Sequence, residues 1–149
     1  MRRFTSQSKG GFREDLGLAV RSKWEANICR YFNYLKIPWQ YEKYDFEFKS
    51  IKRGTRFYKP DFYLPDTDNF LEVKGFMDAK SKTKLKRFKK FYPDKAKNLQ
   101  LVIYDPFSRS VENGKVMKFL LDDLDMKLND IISYKEIKNK LSRIIPYWE

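Results

Sequence analysis

Over residues 20–36 the apolar positions Trp24, Ile28, Tyr31, Phe32 and Leu35 recur at three- and four-residue steps, the period of an amphipathic helix. Ser22 stands where an N-cap belongs, Glu25 three residues later completes a capping box, and Pro38 ends the element. The period then shortens to two. Over residues 39–49, Tyr44, Phe46 and Phe48 alternate with Asp45 and Glu47, which predicts a first strand. Residues 49–56 hold Gly54 and the cations Lys49, Lys52, Arg53 and Arg56, the chemistry of a basic hairpin loop. Residues 57–64 predict a second strand closed by the turn Pro65-Asp66-Thr67-Asp68-Asn69, and residues 70–74 predict a third. Helical spacing returns over residues 79–92, with Leu85, Phe88 and Tyr92 on one face, a dense basic face opposite, and Pro93 as the stop. Residues 99–104 form an apolar run bounded by Asp105-Pro106, as a buried fourth strand requires.

The order helix, three strands, helix, strand predicts a mixed α/β (α+β) fold, a small mixed sheet flanked by helices. Beyond Asp105 the pattern weakens. Residues 116–120 fit an edge strand or the start of a helix, and Ser133-Tyr134-Lys135-Glu136 reads as a second capping box ahead of Ile137, Leu141 and Ile144-Ile145. The chain therefore divides into a flexible basic arm over residues 1–19, carrying Arg2, Arg3, Lys9 and Arg13, a core over 20–105, and a C-terminal extension over 106–149 packed on that core.

Composition narrows the chemistry. At 149 residues and 42% hydrophobic, the chain suits one domain, and thirteen Phe and ten Tyr supply much of its buried surface. A formal net charge of +12 favours a polyanionic partner, with nucleic acid ahead of a membrane because no long apolar run or signal sequence is present. Histidine is absent, and Cys29 is the single cysteine. Zinc fingers, disulfides, Cys–His pairs and nucleases with a histidine base are thereby excluded. Any metal must rest on oxygen ligands, which favours Mg²⁺ with Mn²⁺ able to substitute. A lone thiol suits a reducing cytosol.

Two acids and a lysine stand out, Asp61 in Tyr58-Lys59-Pro60-Asp61-Phe62-Tyr63-Leu64-Pro65 and Glu72 with Lys74 in Phe70-Leu71-Glu72-Val73-Lys74-Gly75. Glu-x-Lys alone says little, since Glu47-Phe48-Lys49 and Glu136-Ile137-Lys138 repeat the spacing. The Glu72 copy differs because Asp61 precedes it across a short turn, and because alternation with Leu71 and Val73 sets Glu72 and Lys74 on one sheet face. Antiparallel pairing through that turn would bring Asp61 near Glu72. The bland alternative is a solvent-facing Glu72–Lys74 ion pair with Asp61 as a turn acid. Glu25 sits beside Ile28 and Phe32 on the rim of the buried stripe, where an acid needs a partner, although a first-turn glutamate also serves the helix dipole. Lys80, Lys82, Lys84, Lys86, Arg87, Lys89 and Lys90 follow with no acid until Asp94; against the reading as a solvated face, self-repulsion argues for phosphate contact. Lys52, Arg53 and Arg56 are candidates for the same role. The aromatics read mainly as core, with Tyr58 and Trp148 able to stack on bases.

Pro60-Asp61 with Glu72-Val73-Lys74 resembles the PD-(D/E)xK nuclease superfamily, and the element order over residues 20–105 is similar to that family's core. Within it, Pro60-Asp61-Phe62-Tyr63-Leu64-Pro65 and Glu72-Val73-Lys74-Gly75 most resemble the phage endonuclease I type of Holliday-junction resolvase, with Glu25 as the matching first-helix acid. The resemblance implies a restriction-endonuclease-like core, hydrolysis of DNA phosphodiesters, branched or four-way junction DNA as substrate, and a homodimer making paired cuts in the (host) cytosol. It implies that Asp61 and Glu72 hold Mg²⁺, helped by the Val73 carbonyl and by Glu25. Lys74 then orients or deprotonates the attacking water, or steadies the charge on phosphorus. No exchanging segment of the kind that interleaves the two resolvase chains stands out. Two other functions fit the sequence: a sequence-specific, homing-type or restriction-like endonuclease, with residues 108–149 as a recognition element, and a non-catalytic basic nucleic-acid-binding domain whose acids are structural.

Overall fold

The computed structural model describes residues 9–149. Arg2 and Arg3 of the expected basic arm lie outside the described residues. The remainder of that arm differs from expectation, because residues 11–20 form a hairpin of β1 (Gly11–Arg13) and β2 (Leu18–Val20). Gly10 allows it: a Cβ there would stand 3.1 Å from the Arg21 carbonyl oxygen. Arg13 then pairs with Glu149 at 2.5 Å, and Arg30, only 5% exposed, bridges Asp15 at 2.8 Å and Glu149 at 2.9 Å. The hairpin and the C-terminal segment are thus bound to one helix.

That helix, α1 (Lys23–Leu35), starts where Ser22 accepts the Glu25 N–H at 3.1 Å and ends on Lys36 in the left-handed region. The expected first strand is broken in two, β3 (Gln40–Tyr41) and β4 (Phe46–Glu47), and the second likewise into β5 (Phe57–Tyr58) and β6 (Phe62–Leu64). Both breaks have physical causes. Glu42 takes a positive φ of 50°, and Pro60 lacks the N–H that an unbroken strand would need. β4 and β5 pair as a separate antiparallel hairpin around the basic loop. Then come β7 (Asn69–Lys74), α2 (Ala79–Phe91), the short α3 (Pro93–Ala96) begun by Pro93, and β8 (Leu99–Ile103). The region over 116–120 is helical: α4 (Val111–Lys118) runs into a π-helical turn, Phe119–Asp123. A strand the pattern did not announce, β9 (Ile131–Ser133), precedes α5 (Tyr134–Leu141), whose N-cap Ser133 accepts the Glu136 N–H as the capping box predicts.

The fold is therefore mixed α/β, with a five-stranded sheet in the order β3-β6-β7-β8-β9. β6 runs antiparallel to its neighbours β3 and β7, whereas β7, β8 and β9 run parallel. Helices α1 and α5 cover one face, where Ile28, Phe32, Phe62, Leu71, Val73 and Ile137 form a core. Helix α2, the π turn and the β4–β5 hairpin cover the other, around Phe48, Tyr58, Phe70, Leu85, Phe88 and Leu120. Central β7 is buried on both faces, which is why its hydrophobic run is nearly continuous. Among the described residues no helix is long and apolar enough to cross a membrane.

Candidate active site

The register of β6 on β7 fixes the site. Phe62 stands opposite Leu71, so the next step along the ladder sets Asp61 opposite Glu72. Pro60 and the bend at Asp61 free that residue from the ladder, and its side chain takes over the missing role: Asp61 Oδ2 accepts the Val73 N–H at 2.8 Å. The Phe70 N–H reaches across to β8, so alternation turns the N–H and C=O of Leu71 and Val73 toward β6. The Val73 carbonyl and the Asp61 carboxylate consequently lie on the same side of β7.

Glu72 projects onto the α2 face. Tyr58, itself 3% exposed, donates its hydroxyl to Glu72 Oε1 at 2.9 Å, and Lys74 Nζ stands 3.9 Å from Glu72 Oε2. The ion pair expected under the bland alternative is present, but Glu72 is buried rather than solvent-facing. Glu25 comes from the first turn of α1, where Ser22 donates to its Oε2 at 3.0 Å and the Tyr41 hydroxyl donates to its Oε1. Glu25, Asp61 and Glu72 are each less than a tenth exposed.

Burial raises all three carboxyls. Asp61 is pushed well above the carboxylate range by desolvation first, then by the negative charges of Glu72 and Glu25, which the Val73 N–H and Lys74 only partly oppose. Glu72 rises to about 7 through burial, held back by Lys74 and Tyr58. Glu25 rises through burial too, against its bonds from Tyr41 and Ser22. Asp61 therefore feels both other acids and Glu72 feels Glu25, while Lys74 is the cation that opposes the rise in Asp61 and Glu72. The like charge acting on Glu25 is that of Glu42. Such a group favours an added cation.

The donor set bears on which cation. Among the described residues no three His, Cys, Asp or Glu side chains are drawn into one ligand group. Asp61, Glu72 and the Val73 carbonyl remain as two acids and one backbone oxygen. That all-oxygen set fits Mg²⁺, which takes one or two carboxylates and keeps several waters. Glu25 adjoins it, held off by Tyr41 and Ser22.

The two other Glu-x-Lys copies do structural work. Glu136 pairs with Lys140 at 2.8 Å, and the Glu47 carbonyl accepts the Tyr92 hydroxyl at 2.6 Å. Of the ten expected DNA-contacting cations, Arg87 donates to the Thr55 carbonyl and Lys89 pairs with Asp125, so both are engaged within the protein. Lys82 lies 5.5 Å from the Phe119 ring centre, Lys90 lies 5.7 Å from that of Phe91, and Arg56 lies 5.7 Å from that of Phe57. Lys52, Arg53, Lys80, Lys84 and Lys86 form no ion pair among the described residues. Tyr58 is buried on Glu72 and offers no face to a base, while Trp148 packs on Tyr134 at 5.7 Å. The sequence pattern passed over Tyr41 and Tyr58 as acid-holding groups, because nothing separates them from eight other tyrosines.

No family model matches this chain, and no curated protein or solved structure matches it.

Proposed function

We propose that the chain is a Mg²⁺-dependent endodeoxyribonuclease of the PD-(D/E)xK kind that cleaves branched DNA, four-way junctions foremost. The observation that carries the reading is the pairing of two buried carboxylates, Asp61 at the β5–β6 bend and Glu72 on β7, beside Lys74, with the charge of buried Glu25 on α1 bearing on both. A fold gains nothing in stability from such a group unless a cation joins it. Asp61, Glu72 and the Val73 carbonyl would hold Mg²⁺, with Glu25 alongside. The ion, when bound, offsets charge on the scissile phosphate and makes a bound water more acidic.

The chain's own groups do the rest. Lys74 extends from the end of β7 with its side chain a quarter exposed, so it reaches solvent while its stem stays anchored. There it positions the attacking water and steadies the negative charge gathering on phosphorus. Tyr58 and Tyr41 hold Glu72 and Glu25 in fixed rotamers. Lys52, Arg53, Lys80, Lys84 and Lys86 supply phosphate contacts, which position DNA without reading its sequence. A symmetric junction needs two cuts, so the working unit is a homodimer.

The test is cleavage in Mg²⁺ of a synthetic four-way junction beside its linear duplex arms. The reading expects the junction to be cut and the arms spared. Equal cutting of both contradicts the junction preference, and no cutting of either contradicts the nuclease.

One observation favours a second reading. The tyrosine bonds to Glu25 and Glu72 satisfy those acids without a metal, as in a non-catalytic DNA-binding domain. Under that reading DNA binding is indifferent to Mg²⁺ and no substrate is cut.

A further inference from the structure

At the carboxyl ends of the parallel strands β7 and β8 a cleft of about 760 Å³ opens beside Lys74. Ligand-binding clefts are commonly of this size, and parallel sheets commonly bind at this end. Its walls differ in chemistry. Phe76, 51% exposed, and Tyr104, 40% exposed, supply aromatic rings, while the start of α4 supplies Glu112 and Asn113.

The Tyr104 ring is braced from within. Trp24 stacks with it at 5.6 Å and Tyr134 lies 6.3 Å away, and those two rings stack on each other at 4.6 Å. A ring held this way needs little ordering before a flat partner stacks on it. The polar wall is equally one-sided. Asn113 spends both amide N–H groups on the carbonyls of Pro106 at 3.0 Å and Ser108 at 2.9 Å, so what it has left is an acceptor. Glu112 forms no ion pair among the described residues and is acceptor-only when ionised. Acceptor carboxylates repel a phosphate and suit a neutral ring that carries N–H groups. A nucleobase has that combination, a π face with amino or imino donors on its edge.

Resting on the nuclease reading, we propose that this cleft receives one unstacked DNA base next to the phosphate held at Lys74, stacked on Tyr104 with its edge N–H groups accepted by Glu112 and Asn113. Regular duplex supplies such a base only after unstacking, which costs a few kcal/mol. A branch point or single-stranded flank supplies it at less cost. The cleft would thus convert DNA shape into selectivity.

The experiment is equilibrium binding by fluorescence anisotropy, without Mg²⁺, of a single-stranded oligonucleotide and of its abasic counterpart with the same phosphates. Wild type should prefer the base-bearing strand about tenfold, the scale of one base on one aromatic ring. Tyr104→Phe should keep that ratio. Tyr104→Ala and Tyr104→Leu should bring it close to one, the leucine preserving apolar packing on Trp24 should the alanine variant not fold. Phe107→Ala, removing a ring 72% exposed outside the cleft, should leave the ratio alone. The proposal is overturned if Tyr104→Leu retains the wild-type ratio, or if Phe107→Ala lowers it equally. Because this readout needs no cleavage, a wild type that cuts nothing but shows the ratio sinks the nuclease reading alone.

Discussion

At the scale of single residues, the site holds a carboxylate, Glu72, whose burial works against the fold. Folded Glu72 titrates at about 7 against an ordinary 4.5, so between those values the native state holds a proton that the unfolded chain has released. Stability therefore falls as pH rises through that window, and by pH 8 Glu72 alone costs about 3 kcal/mol. Urea unfolding in metal-free buffer should show wild type losing stability from pH 5 to pH 8, with Glu72→Gln losing clearly less. Added Mg²⁺ should restore wild type at pH 8 and leave Glu72→Gln unmoved. A wild type whose stability is flat across the window, with and without Mg²⁺, would contradict the site. The acids and Lys74 were legible in the sequence because strand alternation and a short turn suffice to bring Asp61 opposite Glu72. Tyr58 was not, since the strand break at Pro60 and Asp61 that sets it on Glu72 is a tertiary event.

At the scale of elements, two junctions set the site's geometry. Ser22 caps α1 and also bonds the Glu25 side chain, so Ser22→Ala should cost about 1 kcal/mol in urea unfolding while loosening Glu25. Phe88 ties α2 to both Phe70 on β7 and Tyr58 on β5. Truncating it to alanine should cost about 3–5 kcal/mol by thermal or urea unfolding. The two long helices and the central strands were readable because each has an uninterrupted period of 3.6 or a bounded apolar run. The broken strands were not, because the pairs β3–β6 and β4–β5 belong to different sheets that the alternation cannot distinguish. β9 is three residues long and half-buried, too short for any period, and gains its place only from β8 beside it.

At the scale of the whole molecule, charge and site act together. The net charge of +12 favours a polyanionic partner, and under the proposed nuclease reading only cations not already engaged inside the protein lend DNA phosphate contacts. Replacing Lys80, Lys84 and Lys86 by alanine should weaken junction binding and lower the slope of log affinity against log salt by about one per cation, with stability unchanged. Arg87→Ala should instead destabilise the fold by about 1–2 kcal/mol, because its guanidinium ties the β4–β5 loop to α2. Composition pointed to a polyanion, while which lysines are free became visible only with α2 packed against its neighbours. The most direct measurement sets catalysis against binding in the same preparations. Single-turnover cleavage of a four-way junction in Mg²⁺ is compared with junction affinity in Ca²⁺ for wild type, Glu72→Gln and Lys74→Met. The account predicts that both substitutions reduce cleavage at least a hundredfold, about the scale of one lost catalytic group, while affinity stays within about threefold. Cleavage by either variant at the wild-type rate would contradict it.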